Sequence, residues 1–316
     1  MTFAFVFPGQ GSQSVGMMAA YGDSPVLRAT FAEASAALGE DLWQLVADGP
    51  SEALALTVNT QPVMLAAGVA TYRLWLEKGG RAPDVVAGHS LGEYAALVAA
   101  GVIEFADAVP LVRLRAAAMQ EAVPAGTGAM AAILGLDDDG IRAACAEAAA
   151  EVGAGEVAEA VNFNAPGQTV IAGNKAAVER ACALCKEKGA KRAVLLPVSA
   201  PFHSSLMQPA AERLAVGLAA IKFSAPRMPV VNNVDARVES DPEAIRAALV
   251  RQACSPVRWV DSIRSIAALG VTTIAECGPG KVLGGLSKRC ADGVSGLTLN
   301  DLAAIEAALV TLATLE

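Results

Sequence analysis

The stretch Val85-Val86-Ala87-Gly88-His89-Ser90-Leu91-Gly92-Glu93-Tyr94 determines how the fold is interpreted. An apolar run precedes a G-x-S-x-G pentapeptide, and a helix-like segment, residues 93–100, follows it. A G-x-S-x-G sequence between a strand and a helix is typical of a sharp turn that exposes its serine as a nucleophile. The glycines permit the strained turn, and free N–H groups of the helix face any oxygen that the serine attacks. The pattern predicts acyl transfer through an ester of Ser90; the alternative is a small residue in a tight turn.

Length and composition favour a large globular protein. The chain has 316 residues, of which 54% are hydrophobic, so it can bury a large core. The longest apolar stretch, residues 95–103, is far shorter than the roughly 20 residues that cross a bilayer. No basic residue precedes the first apolar segment, as it would in a signal peptide. We therefore expect a soluble, cytoplasmic protein with no membrane partner.

Charge and cysteine spacing argue against two other classes. With 24 basic and 32 acidic residues the net charge is -8, which disfavours a nucleic-acid partner. Cys182 and Cys185 form a C-x-x-C, but their i,i+3 spacing in an Ala-rich helical pattern places two small residues on one helix face. Because neither a second cysteine pair nor a histidine cluster lies nearby, we expect no metal site.

Strand-like runs alternate with helical segments along most of the chain. The runs end at glycine, proline or asparagine turns and comprise residues 3–7, 85–87, 229–231 and 272–275. Amphipathic helices are predicted at residues 51–56 and 62–78. This alternation predicts a parallel α/β sheet, which together with the serine turn indicates an α/β-hydrolase-like domain. Ligands of such sheets bind beyond the carboxyl ends of the strands.

The middle of the chain has a different order of elements. It predicts strands at 128–134, 158–163, 168–172 and 192–198 and helices at 138–150 and 175–188. This order, βαββαβ, is that of a ferredoxin-like unit. We therefore predict a small domain, residues 125–198, inserted into a large catalytic domain of residues 1–124 and 199–316. The small domain would form one wall of a cleft over Ser90.

Histidine is scarce enough to limit the choice of a general base. The chain has only two histidines, and His89 adjoins Ser90, so its side chain should diverge from the serine at a sharp turn. A histidine base should then be His203, which lies where the chain returns to the large domain. The alternative is an ordinary core or surface histidine.

A base also needs a group that orients its second ring nitrogen, and no acidic residue between Ser90 and His203 is an obvious candidate. The helix that starts after Asp241 extends to about residue 253, and Pro256 follows Gln252 by four residues. Since proline has no N–H, the Gln252 carbonyl lacks its helical donor and could accept the His203 ring N–H. A helix end satisfied by water is the alternative.

Five motifs, which follow one another along nearly the whole chain, resemble those of the malonyl-CoA:acyl carrier protein transacylases of fatty acid synthesis. They are Pro8-Gly9-Gln10-Gly11-Ser12-Gln13, Gly88-His89-Ser90-Leu91-Gly92-Glu93-Tyr94, Met119-Gln120-Glu121-Ala122-Val123-Pro124, Asn162-Phe163-Asn164-Ala165-Pro166-Gly167-Gln168 and Gly278-Pro279-Gly280-Lys281-Val282-Leu283.

The resemblance implies a role for each matched position. Ser90 would be the nucleophile, His203 the base and the Gln252 carbonyl its orienting group. The backbone N–H groups of Gln10 and Leu91 would form the oxyanion hole. The positions implied for the acyl group are Arg115, which would hold the malonyl carboxylate, and the cleft residues Gln61, Met119 and Asn162.

Arg115 and Phe202 each support a further inference about the acyl group. Arg113 and Arg115 are two apart on a predicted helix, so one can face solvent while the other faces the cleft, where a guanidinium suits a carboxylate. Phe202 departs from family members that have serine before the histidine. In related acyltransferase domains of polyketide synthases, phenylalanine at this position goes with the use of malonyl, and smaller residues go with the use of methylmalonyl. The resemblance therefore implies that Phe202 excludes an α-methyl group.

The implied reaction is ping-pong and uses no metal or other cofactor. Malonyl-CoA would acylate Ser90, and the phosphopantetheine thiol of an acyl carrier protein would then take the malonyl group. The carrier could serve fatty acid or polyketide synthesis. The alternatives are a serine esterase or thioesterase, in which water replaces the thiol, and an acyl-binding subunit without catalysis.

Overall fold

The computed structural model describes residues 2–198 and 200–313. Its strands are β1 Thr2–Phe7, β2 Val85–Gly88, β3 Gly128–Leu134, β4 Ala158–Ala165, β5 Gln168–Asn174, β6 Arg192–Leu195, β7 Val230–Val231, β8 Val238–Glu239, β9 Val271–Glu276 and β10 Ser295–Thr298. Its α-helices are α1 Pro25–Leu38, α2 Leu42–Asp48, α3 Ser51–Ala55, α4 Thr57–Glu77, α5 Gly92–Ala99, α6 Phe105–Glu121, α7 Asp138–Val152, α8 Lys175–Glu187, α9 Gln208–Ala219, α10 Pro242–Ala253, α11 Trp259–Ala268, α12 Val282–Cys290 and α13 Leu302–Ala313. Short 3₁₀ turns span Ala19–Tyr21 and Ser205–Met207. None of these described helices combines the length and apolar character that a membrane span requires.

The larger sheet has the strand order β10-β9-β1-β2-β7-β8. Its first five strands are parallel, and the two-residue edge strand β8 runs antiparallel to β7. The prediction of a mixed α/β fold with a parallel sheet is confirmed. The sequence did not predict β8 or β10, which lie at the sheet edges and have no buried residues.

Strand β1 shows why this sheet is covered on both faces. Phe3, Phe5 and Phe7 alternate with Ala4 and Val6, and all five are buried. The phenylalanines pack in a core with residues of α1, α4, α5 and α6, whereas Ala4 and Val6 pack with residues of α11 and α12. Since successive side chains of a strand point to opposite faces, β1 anchors both helical layers.

The second sheet contains β4-β5-β3-β6 in that order, with antiparallel pairing throughout. Helices α7 and α8 pack against one face of this sheet and form a hydrophobic core with it. Cys145 and Cys185 are buried in this core as free thiols. Met130, Val161 and Val170 lie on the opposite face. The element order along the chain is the predicted βαββαβ, and the predicted point of return, Ser199, lies outside the described residues.

Two predicted elements differ from the structure by three or more residues at one end. The strand predicted at 192–198 ends at Leu195, because Pro197 cannot donate to a ladder and the chain turns towards the cleft. The helix predicted at 62–78 begins earlier, at Thr57, and includes Pro62. Proline removes only one helical donor. Thr60 stabilises the preceding turn, because its N–H donates to the Leu56 carbonyl and its hydroxyl donates to the Leu54 carbonyl. This extra turn carries Gln61.

Candidate active site

Ser90 lies in a strained turn between β2 and α5. Its φ is 53°, a left-handed conformation uncommon for a residue with a side chain. A Cβ on Gly88 would lie 1.9 Å from the Gly92 carbonyl carbon, and a Cβ on Gly92 would lie 2.0 Å from the Phe7 carbonyl oxygen. Both positions therefore require glycine. The Ser90 N–H donates to Asn233 Oδ1 at 2.7 Å, which ties the strained residue to the loop after β7.

His203 contacts the serine hydroxyl directly. Its Nε2 lies 2.7 Å from Ser90 Oγ, and its Nδ1 lies 2.8 Å from the Gln252 carbonyl oxygen. Because a carbonyl only accepts, Nδ1 carries the proton and Nε2 presents a lone pair to the serine hydroxyl. Burial, and secondarily the charge of Arg115, lower the pKa of His203 to about 3. The imidazole is therefore neutral, the form in which it can accept a proton.

The Gln252 carbonyl is available because of where α10 ends. Asp241 caps the start of this helix by accepting from the Ala244 N–H at 3.1 Å, and the helix ends at Ala253. Pro256, four residues after Gln252, has no N–H to offer the carbonyl. The ring N–H of His203 occupies that acceptor position instead.

Arg115 is a buried cation beside the serine. It is 1% exposed, and its guanidinium donates to three uncharged acceptors: Gln61 Oε1 at 2.9 Å, Gln252 Oε1 at 2.9 Å and Ser90 Oγ at 3.1 Å. Burial lowers its pKa from the ordinary value. Arg113 instead forms an ion pair with Glu40 on the outer side of α6. A buried guanidinium with uncharged partners is favourably placed for an anionic ligand.

A cavity of about 410 Å³ surrounds these groups. Nine of the ten residues selected from the sequence line it: Gln10, Gln61, Ser90, Leu91, Arg115, Met119, Asn162, Phe202 and His203. Gln252 lies behind the wall and reaches the site through its contacts with His203 and Arg115. Gln10, in the loop after β1, and Leu91, directly before α5, both line the cavity.

The sequence did not assign roles to several other groups around the cavity. Asn233 bridges the turn, because it also donates from Nδ2 to the Gly88 carbonyl at 2.7 Å. His89 Nε2 lies 2.8 Å from Asn164 Oδ1, and burial lowers the pKa of this ring. Glu93 is buried beside Gln252, and burial raises its pKa to about 7. The one sequence feature that could have indicated a site role for Asn233 is its position in the turn directly after a predicted parallel strand, where ligands bind.

The second sheet supplies the opposite wall. Met130 of β3 lines the cavity, as do Leu196 and Val198 beyond β6. Two backbone bonds attach this sheet to the segment after α10: the Val257 N–H donates to Val161 O at 2.8 Å, and Phe163 N–H donates to Val257 O at 3.0 Å. The cavity therefore lies between the two sheets, beyond the carboxyl ends of β1 and β2.

Comparison with known proteins identifies the family. The family model described as acyl transferase domain matches residues 4–299. Malonyl CoA-acyl carrier protein transacylase of Escherichia coli strain K12 is 60% identical over 97% of this chain and 98% of its own length. The Bacillus subtilis strain 168 protein of the same name is 46% identical over 98% of this chain and 96% of its own length.

Solved structures agree with this result. An acyl-carrier-protein S-malonyltransferase from Burkholderia pseudomallei 1710b superposes with a TM-score of 0.95 at 61% identity, covering 98% of this chain and 100% of that one. A type II PKS acyl-carrier protein in complex with its malonyl-transacylase gives a TM-score of 0.95 at 55% identity, with coverage of 98% and 100%. The chain is therefore an acyltransferase that belongs to the family of malonyl CoA-acyl carrier protein transacylases.

Proposed function

We propose that this chain transfers the malonyl group of malonyl-CoA to the phosphopantetheine thiol of an acyl carrier protein through a malonyl ester of Ser90. The choice of malonyl as the acyl group rests on the contacts of Arg115. Arg115 donates to the same serine oxygen that contacts His203, and its other partners are neutral amides. A carboxylate on the acyl group would give the guanidinium a directly bound anion, which these three partners do not provide.

In the first half-reaction His203 acts as general base. Its Nε2 removes the Ser90 hydroxyl proton while Oγ attacks the thioester carbonyl of malonyl-CoA. The tetrahedral intermediate collapses by breaking the C–S bond, and the His203 imidazolium returns the proton to the CoA sulfur. The Gln252 carbonyl holds the ring in the required tautomer, the role that a carboxylate has in Ser-His-Asp triads.

In the second half-reaction the carrier thiol replaces CoA. His203 accepts the thiol proton, the sulfur attacks the malonyl ester carbonyl, and the Ser90 oxygen leaves with that proton. Gln10 and Leu91 line the cavity, and in both halves their backbone N–H groups would stabilise the oxyanion. No step of this cycle requires a metal or another cofactor.

The remaining cavity residues would select the acyl group. Arg115 would bind the malonyl carboxylate, assisted by Gln61, which already accepts from its guanidinium. Met119 and Asn162 would shape the cavity around the malonyl carbon chain. Phe202, which packs against the hydrophobic cluster that contains Met119 and against the cavity face of the second sheet, would occupy the space of an α-methyl group.

The fold supports a division into two domains. We assign residues 1–124 and 199–316 to an α/β-hydrolase-like large domain, and residues 125–198 to a ferredoxin-like small domain. The βαββαβ order and the separate hydrophobic core around α7 and α8 favour this assignment. The cleft between the domains would admit the phosphopantetheine arm.

The proposed partners are coenzyme A thioesters and an acyl carrier protein, and the proposed location is the cytoplasm. The solved complex of a similar malonyl-transacylase with a type II PKS acyl-carrier protein supports the carrier assignment. It also makes a polyketide carrier a second candidate beside a fatty acid carrier. Six free cysteines are in keeping with a reducing compartment.

Intact-protein mass spectrometry after exposure to malonyl-CoA tests the proposal. The wild type should gain one malonyl group, and S90A should gain none. Addition of the holo carrier should move the malonyl group to the carrier. Loss of the group to water at the same rate without the carrier would instead indicate an esterase or thioesterase, and no adduct at all would indicate a binding subunit.

The carboxylate role of Arg115 has its own test. R115A should lose at least about 100-fold in the malonyl-over-acetyl ratio of kcat/KM for Ser90 acylation, because only malonyl has a carboxylate that the guanidinium can bind. R113A is the matched control on the same helix and should keep the ratio. An R115A enzyme that retained its preference for malonyl would refute the role.

A further inference from the structure

Glu93 is a buried carboxylate that the reaction described above does not use. It lies in the first turn of α5, three residues after Ser90, and is 1% exposed. Its side chain reaches across to α10 and to the loop after β7, and it does not line the cavity. A carboxyl group in such a position loses its hydration, so its contacts must compensate for that loss.

Both contacts of Glu93 involve the same oxygen. Glu93 Oε2 accepts from Gln252 Nε2 at 2.8 Å and from the Asn233 N–H at 3.1 Å. Burial raises the pKa of Glu93 to about 7, but a proton on Oε1 would leave Oε2 free to accept both bonds. Its function as an acceptor therefore does not depend on its charge.

This acceptor, together with Ser90 O and the Arg115 guanidinium, favours one orientation of the Gln252 amide. With Nε2 facing Glu93, the second Nε2 hydrogen donates to Ser90 O at 3.0 Å, and Oε1 accepts from Arg115 Nη2 at 2.9 Å. The reversed amide would place its oxygen against Glu93 and against the Ser90 carbonyl, and its NH₂ group against the guanidinium. Three favourable contacts would become repulsive.

We infer that Glu93 is a positioning residue for recognition of the acyl carboxylate: through the Gln252 amide it holds the Arg115 guanidinium beside Ser90. This inference rests on the proposed function, because the group that Arg115 recognises is the malonyl carboxylate. Glu93 itself touches neither substrate nor reacting atoms. Its effect should therefore appear in the selection of malonyl over acetyl more than in the reactivity of Ser90.

Two conservative variants distinguish the effect of the length of the Glu93 side chain from the effect of its charge. E93Q keeps the length of the side chain and an acceptor oxygen for Gln252 and Asn233, but it has no charge. E93D keeps the carboxyl group but is one methylene too short to reach Gln252. If orientation of the amide is the function, E93Q should resemble the wild type and E93D should not.

The measurement is kcat/KM for Ser90 acylation by malonyl-CoA and by acetyl-CoA. We expect E93D to lower the malonyl-over-acetyl ratio by about tenfold or more, the effect of losing one hydrogen bond to a charged network, and E93Q to stay within about threefold of the wild type. E243Q and E243D, at an exposed site on α10, are matched controls and should not change the ratio.

Three outcomes would overturn the inference. An E93D enzyme with the wild-type ratio would show that the contact is dispensable. Equal losses with both substrates would assign Glu93 to general structure, and an E93Q enzyme as impaired as E93D would assign the effect to charge. A wild type without malonyl preference would instead contradict the proposed function, so the two failures are distinguishable.

Discussion

The individual side chains of the site depend on being kept away from water. His203 is neutral because burial disfavours its protonated form, and the Arg115 charge adds to that effect. The same cation donates to Ser90 Oγ and so favours the ionised serine. The hydroxyl therefore lies between a group that accepts its proton and a group that stabilises its negative charge.

The pKa of His203 predicts an unusual pH profile. A histidine with the ordinary pKa of 6.5 would be neutral in only roughly 3% of molecules at pH 5, whereas a pKa of about 3 leaves His203 almost entirely neutral there. We expect the rate of Ser90 malonylation at pH 5 to remain within about threefold of its value at pH 7.5. Single-turnover quenched kinetics measure this, and a decline centred near pH 6.5 would contradict it.

At the element scale, close contacts between backbones fix the serine turn. Strand β2 and helix α5 approach each other, and β1 passes near the start of α5, at positions where a side chain would overlap main-chain atoms. A main-chain neighbour cannot rotate away as a flexible side chain can. The turn is therefore held by packing of whole elements in addition to the bonds from Asn233.

A pair of glycine substitutions on helices tests this packing. G92A places a methyl group 2.0 Å from the Phe7 carbonyl oxygen, so we expect it to lower the free energy of unfolding by about 3 kcal/mol or more. G285A, on α12, meets no atom within 4 Å and should raise stability by about 0.5–1 kcal/mol, because alanine favours a helix. Urea denaturation compares the two; equal effects would refute the steric argument.

Local patterns predicted the parts of the site that depend on local structure. The serine turn, the return of the chain at His203 and the free carbonyl before Pro256 all follow from neighbouring residues. The orientation of the Gln252 side chain could not be predicted from neighbouring residues, because Glu93 and Gln252 are 159 residues apart in sequence. The early start of α4 was also missed, since the Thr60 bonds that compensate for Pro62 become visible only in the folded chain.

At the scale of the whole molecule, the loops after adjacent parallel strands converge on one edge of the large sheet. Gln10 follows β1, Ser90 follows β2 and Asn233 follows β7, and these three strands are neighbours. The loop after β9 lies on the other side of β1. Glu276, the last residue of β9, accepts from the Gly284 N–H at 2.9 Å in the first turn of α12, and burial raises its pKa to about 7.

Glu276 makes the stability of the whole fold depend on pH. An ordinary pKa is 4.5, so between pH 4.5 and 7 the folded chain binds more protons at this residue than the unfolded chain, and its contribution to stability falls as pH rises. Glutamine does not titrate. The free energy of unfolding of E276Q relative to wild type should therefore rise by about 2 kcal/mol from pH 5 to pH 8.

Urea titrations of both proteins at the two pH values provide the measurement. E243Q, an exposed carboxylate replacement on α10, is the control and should show a difference near zero at both. A relative stability of E276Q that stayed constant or fell with increasing pH would contradict the prediction.

The cavity wall is shared by two sheets, and this arrangement has an evolutionary consequence. The reactive hydroxyl and imidazole belong with the large sheet, whereas Met130, Asn162, Leu196 and Val198 belong with the second. Substitutions in the second sheet can therefore alter the shape available to an incoming acyl chain without displacing the reactive atoms. Descendants of such a scaffold could diversify in substrate range while inheriting one unchanged mechanism.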